Sequence, residues 1–272
     1  RWWEMDPETY DCPLEQLDGL LNERTAIVAF PHVSNLLGAI VDIGAITALA
    51  HQAGAKVVAD GVAFAPHRAM DVAAWGVDWY AYSTYKVYGP HMGAMWGRAE
   101  AVAELTGPNH FFIEVVPYQF ELGGVSHEGC AGILGLADYL KIVAEVDGEA
   151  MLSRAEIALA FDVMTACEQP LIAELMDYLE SRSDVRIIGP GHDGNDRVGT
   201  VSFVHATRSS REIVEVIDRS EVAIRHGHMY AYRLCEAAGL DPADGVVRIS
   251  LVHYNTPEEI ERLIEVLHEA LG

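Results

Sequence analysis

Three short runs, TAIVAF (25–30), KVVAD (56–60) and DWYAYST (78–84), do most to limit the fold open to this chain. Each is rich in the β-branched, aromatic and small apolar residues that suit a strand inside a sheet. Between the first two lies VDIGAITALAHQAG (41–54), whose apolar residues recur at helical spacing and which closes on Gly54, a helix-ending residue. Between the second and third lies MDVAAWG (70–76), a short helix. Strand, helix and strand in alternation predict parallel pairing through right-handed crossovers. GAMWGR (93–98) reads as a further strand, and AEAVAEL (99–105) as a helix.

The remaining chain divides into recognisable pieces. Residues 106–124 are rich in Gly, Pro and aromatic residues and read as loop, and 128–181 read as helix with a break near Gly148. VRIIG (185–189), GTVSFVH (199–205), VAIRHG and GVVRISLVHY read as strands of a smaller α/β unit. SREIVEVIDRS (210–220) is a helix capped by Ser209 or Ser210. TPEEIERLIEVLHEALG (256–272) is amphipathic, with Thr256 as cap, Pro257 in the first turn and acidic residues early. This predicts a large α/β domain over 1–150 and a small α/β domain over 151–272.

Composition narrows the partners. The chain has 272 residues, half of them hydrophobic, and a formal net charge of −23. Such acidity argues against nucleic acid, whose phosphate backbone calls for a basic surface. No apolar run reaches the ~18 residues that a membrane span needs. The four cysteines, Cys12, Cys130, Cys167 and Cys235, show no paired spacing, which points to a reducing, cytoplasmic compartment. The twelve histidines include His32, His67, His91 and His127 in loops, and His226 and His228 on one face of a predicted strand, but no metal-ligand motif joins them. A metal-dependent hydrolase is therefore a distant reading.

Chemistry collects at the carboxyl ends of the three strands, where open parallel sheets bind ligands. PHVSN brings Asn35, VVAD brings Asp60, and YSTYK brings Ser83, Tyr85 and Lys86. Lys86 stands out, because Lys56 and Lys141 are the only other lysines. Singly, each of these residues is more often a turn, a cap or a surface charge. Together, an amide, a carboxylate, hydroxyls and a lysine suit pyridoxal 5′-phosphate. The lysine forms an imine with the aldehyde, the carboxylate keeps the pyridine nitrogen protonated, and hydroxyls hold the phosphate. Placement among aromatics predicts a desolvated lysine whose ammonium form is disfavoured.

The segments AFPHVSNLLGAIVDIGAITALAHQAGAKVVADGVAFAPH, DWYAYSTYKVYGPHMGAMWG, IRHGHMYAYRLCEAAGL and GVVRISLVHYNTPEEIERLIEVL resemble the class V aminotransferase family, in particular its cysteine desulfurase and selenocysteine lyase branch. The resemblance implies the fold-type I pyridoxal phosphate architecture, a mostly parallel large domain plus a smaller one, working as a homodimer on a small amino acid. It implies Lys86 as the Schiff-base lysine, Asp60 at the pyridinium nitrogen, Asn35 at the ring oxygen or substrate carboxylate, and Ser83 at the phosphate. Tyr85 stands where the family often has a phosphate-binding histidine. Arg248 would clamp the substrate carboxylate, with Arg225 at the edge of the site.

The departures from the pattern matter too. Tyr230 stands where desulfurases carry a nucleophilic cysteine, and Cys235, five residues on, reads as a buried helix residue. Ala63 replaces a Gln, and Gly124 a phosphate-binding Thr for which Ser126 or His127 is the candidate substitute. Family chains are longer at the N terminus, so this chain is expected to lack the turn that anchors the phosphate there. The expected reaction is lyase-type β-elimination at a C–S bond. Epimerisation or transamination is the alternative within the family, and a non-catalytic or truncated scaffold subunit the alternative outside it.

Overall fold

The computed structural model of the chain describes residues 1–148, 151–191 and 197–272. A four-stranded sheet forms first, from β1 (Ile27–Pro31), β2 (Lys56–Asp60), β3 (Trp79–Ser83) and β4 (Gly93–Gly97), in that spatial order. β1, β2 and β3 run parallel, as the alternation predicts. β4 departs from that expectation and pairs antiparallel with β3. The connection over 84–92 explains this, since a parallel return needs a crossover of a dozen or more residues. β1 also differs from a fully buried strand: its side chains alternate exposed and buried, and Ile27 is 57% exposed. It lies at the sheet edge, and only one of its faces carries packing.

The helices follow their local signals. α1 (Leu14–Leu20) and α2 (Ile43–Gln52) pack Leu17, Ile43, Ile46 and Ala50 against Val28, Phe30, Val57 and Tyr80. Asp42 caps α2 by accepting from the Ala45 amide. α3 (Val72–Trp75) is stopped by Gly76 at φ +70°, a left-handed turn that glycine adopts without steric cost. α4 (Ala99–Ala103) closes the first part of the chain.

α5 (His127–Ala144) and α6 (Arg154–Glu180) fill the predicted helical region, with the break falling between them. α6 serves two cores. Ala160, Phe161 and Met164 pack with Val87, Leu140 and Ala144, whereas Leu171 to Leu179 face the C-terminal sheet. That sheet has the order β5 (Val185–Ile187), β6 (Thr200–His205), β8 (Val246–Ser250) and β7 (Arg225–Gly227), all antiparallel. α7 (Ser210–Ile217) and α9 (Pro257–Leu271) cover it, each opened by a capping box, Ser209 with Glu212 and Thr256 with Glu259. α8 (Tyr232–Ala237) buries Cys235. β7 is shorter than the run VAIRHG and ends at Gly227, so His228 lies beyond the strand and shares no strand face with His226. Among the described residues, no helix is long and apolar enough to cross a membrane.

Candidate active site

Parallel pairing places the ends of β1, β2 and β3 side by side. Pro31 is opposite Asp60, and Asp60 is opposite Ala81, two residues before Ser83. The backbone is bonded across all three, because the His32 amide donates to the Asp60 carbonyl at 2.8 Å and the Gly61 amide to the Ala81 carbonyl at 2.7 Å. Gly61 allows close approach: a Cβ there would sit 2.1 Å from the Tyr80 ring. The Asp60 carboxylate is exposed, and its Oδ1 accepts from the Val62 amide at 2.9 Å.

The next turn presents Lys86. A single 3₁₀ turn, Thr84–Lys86, follows β3. Thr84 is buried and clips the loop shut: its amide and hydroxyl both bond to the Met92 carbonyl, and its hydroxyl also donates to Pro90. Tyr85 and Lys86 point outward. Lys86 is exposed, and among the described residues its Nζ has no hydrogen-bond partner. The expected desolvated lysine is thus not what the fold provides, because Val87, not Lys86, turns into the core beside Ala65 and Met164. Tyr85 stacks on His91 with ring centres 4.5 Å apart and planes within 6°.

The C-terminal sheet completes the cluster. Arg248 on β8 donates from Nη1 to the Asn35 carbonyl at 3.1 Å, across 213 residues of sequence. Asn35 in turn donates from Nδ2 to the Met229 carbonyl at 2.7 Å, which ties it to the turn before Tyr230. Arg225 faces Arg248 in register across β7 and β8. Burial, and then the neighbouring Arg225 charge, push the Arg248 guanidinium below its ordinary range. Its Nε is buried without a partner, and among the described residues Arg248 makes no ion pair. Two like charges with an unused donor make a corner whose chemistry suits an anion.

The pairing of His32 with Tyr80 was not assigned from the sequence. His32 is buried behind Asp60, stacked on Phe64 at 3.8 Å, with Nδ1 2.9 Å from the Tyr80 hydroxyl. Burial lowers its pKa to about 4, so it is neutral. Burial and the Asp60 charge push the Tyr80 phenol far up, so it stays protonated. His67 is buried against Glu168 at 3.0 Å and acts structurally. Ala63 packs beside Val33, Phe64 and Val198. Gly124 is exposed, and the Ser126 hydroxyl is engaged as the cap of α5, accepting from Gly129. Cys235 is fully buried, and burial raises its pKa, as expected of a small apolar residue rather than a nucleophile. A cavity of 960 Å³ opens beside β1, lined by Trp3, Phe30 and Ile46, and neither Asp60, Lys86 nor Arg248 reaches it.

Comparison with known proteins gives the family of the chain. The Aminotransferase class-V family profile matches residues 1–263. The chain belongs to that family. Enzymes of the class V aminotransferase family use pyridoxal phosphate as cofactor. An "Aminotransferase-like protein FGM3" from Gibberella zeae is 39% identical over the whole of this chain and 66% of its own length. A cysteine desulfurase from Dickeya dadantii is 33% identical over 96% of this chain and 62% of its own length. The apo structure of a cysteine desulfurase from Thermococcus onnurineus superposes with a TM-score of 0.82 at 23% identity, covering all of this chain and 66% of that one. That similarity carries the fold-type I architecture. The chain spans a little under two thirds of the length of these relatives.

Proposed function

We propose that this chain carries the cofactor lysine and the substrate-carboxylate arginine of a pyridoxal phosphate enzyme acting on a small amino acid, by β-elimination at a C–S bond. The observation that carries the reading is Lys86, exposed and unpartnered among the described residues, at the same sheet end as the exposed Asp60 carboxylate.

The residues present suit the cofactor. Lys86 Nζ is available to bond its aldehyde, Asp60 to hold a proton on its ring nitrogen, and the Ser83 and Tyr85 hydroxyls to reach its phosphate. When bound, the cofactor supplies an electron sink for charge left at the substrate α-carbon. Arg248, with Arg225 beside it, takes the substrate carboxylate through charge-assisted hydrogen bonds, and Asn35 fixes Arg248 from the other side. Lys86 then stands free to remove the α-proton at Nζ. Protonated Tyr80 and neutral His32 keep further charge away from the protein side of Asp60.

Elimination is favoured over persulfide transfer. Tyr230, read from the sequence as standing at the desulfurase cysteine position, is exposed in the turn after β7, and Cys235 is buried in α8. All four cysteines are free, in keeping with a cytoplasmic enzyme. A homodimer is supported by the apolar surface of residues 105–125, where Phe111 is 93% and Leu122 78% exposed.

The test is Lys86→Ala in the complete protein. Both the visible absorbance of lysine-bound cofactor and turnover of a β-thiol amino acid are expected to vanish. Turnover retained in the variant would overturn the reading. Cys235→Ala is expected to release sulfide at the unaltered rate.

A further inference from the structure

The loop that carries Lys86 is bent at Tyr88, whose φ of +61° is a left-handed conformation rarely adopted by a bulky residue. Such a backbone persists only where its surroundings impose it. The surroundings here are a continuous run of hydrogen bonds. The Tyr88 hydroxyl lies 2.6 Å from the Pro66 carbonyl and 3.2 Å from Nδ1 of His253. Nε2 of His253 is in turn bonded to the Tyr139 hydroxyl on α5.

A carbonyl accepts and cannot donate, so the Tyr88 proton goes to Pro66. His253 must then donate from Nδ1 to the Tyr88 oxygen, and a neutral ring accepts at Nε2 from Tyr139. Burial, the largest influence on it, lowers the His253 pKa and so favours that neutral ring. The rings reinforce the run: Tyr88 lies edge-on to His253 at 5.1 Å and close to Tyr139 at 5.3 Å, and Tyr254 closes the group at 5.2 Å from His253.

Two members of the run lie on the segments that carry the proposed site. Tyr88 is two residues past Lys86, and His253 is five residues past Arg248, just beyond the end of β8. We propose that Tyr88, His253 and Tyr139 form a positioning chain that holds the lysine loop in register with the strand end bearing the substrate arginine. The proposal rests on Lys86 and Arg248 having the roles given above. None of the three residues touches the reacting atoms; they act by fixing the loop's bend and the distance between two functional groups that come from separate sheets.

The test uses Tyr88→Phe, His253→Leu, their double variant and His253→Asn in the complete protein. Each of the first two is expected to lower kcat about tenfold with KM for the amino acid nearly unchanged. The double variant should be no worse than the poorer single one, because either change breaks the same run. Asn places an amide donor near the position of Nδ1, so His253→Asn is expected to recover most of the loss. A second readout needs no cofactor: amide hydrogen exchange over 86–90 should quicken about tenfold in His253→Leu, although residue 253 is remote in sequence. If His253→Leu fails to fold, Tyr88→Phe gives the reciprocal reading over 250–255. Unchanged exchange in a folded variant, or single effects that multiply in the double, would overturn the positioning chain. Lys86→Ala that still turns over would instead overturn the site assignment, and would leave the exchange result standing.

Discussion

His32 is held from four sides: its amide donates to the Asp60 carbonyl, Phe64 stacks on its ring, Trp75 meets it edge-on, and the Tyr80 hydroxyl lies at Nδ1. It has no room for a hydrated imidazolium, which is why its pKa falls to about 4. The stability consequence has a definite sign. An unfolded histidine takes up a proton near pH 6.5, whereas the folded one resists until about 4. Between those values the unfolded chain binds more protons, so folding weakens as pH falls through the window and is unaffected above it. The full effect is at most about 3 kcal/mol. His32→Gln removes the titration and keeps a neutral hydrogen-bonding side chain. Its thermal midpoint should decline less than that of the unaltered protein between pH 6.5 and 4. Parallel declines would mean that His32 is protonated in the folded state.

Across β7 and β8, element geometry sets two arginines opposite each other, a pairing that costs stability unless an anion bridges them. Arg248 is half-buried and bonded to Asn35, while Arg225 is exposed. Arg248→Ala should therefore raise KM for the amino acid about a hundredfold, in line with losing charge-assisted hydrogen bonds. Arg225→Ala should raise it only severalfold. Equal effects, or a fall in kcat alone, would remove the carboxylate role. This pair also marks what the sequence makes legible. Strand runs and caps such as Ser209 and Thr256 are local signals, and they read correctly. The antiparallel turn of β4 is set by the length of its connection, and it is lost when each run is read alone. The burial of His32 and the meeting of Tyr88 with His253 depend on contacts between residues 48 and 165 positions apart. No window along the chain contains both partners, so pattern reading cannot reach them.

At the scale of the whole molecule, two facts pull against each other. The net charge of −23 makes two copies repel. The segment over 105–125 nevertheless exposes Phe111, Phe112, Tyr118 and Leu122 together, and Met95 on the free edge strand β4 is 65% exposed. An apolar surface of this kind asks to be covered, and in the proposed homodimer a second copy covers it. Association would then gain from burial, which salt hardly weakens, and lose to charge repulsion, which salt screens over a Debye length of about 8 Å at physiological strength. The expected outcome is a dimer that tightens as salt rises, the reverse of a complex held by ion pairs. Sedimentation of the complete protein from low to high salt reads this directly. Leu122→Glu with Phe111→Glu should shift it toward monomer at every salt concentration, since a buried unpaired carboxylate is costly at an interface. A dimer that loosens with salt, or one indifferent to both substitutions, would place the interface elsewhere and leave the 105–125 surface to another partner.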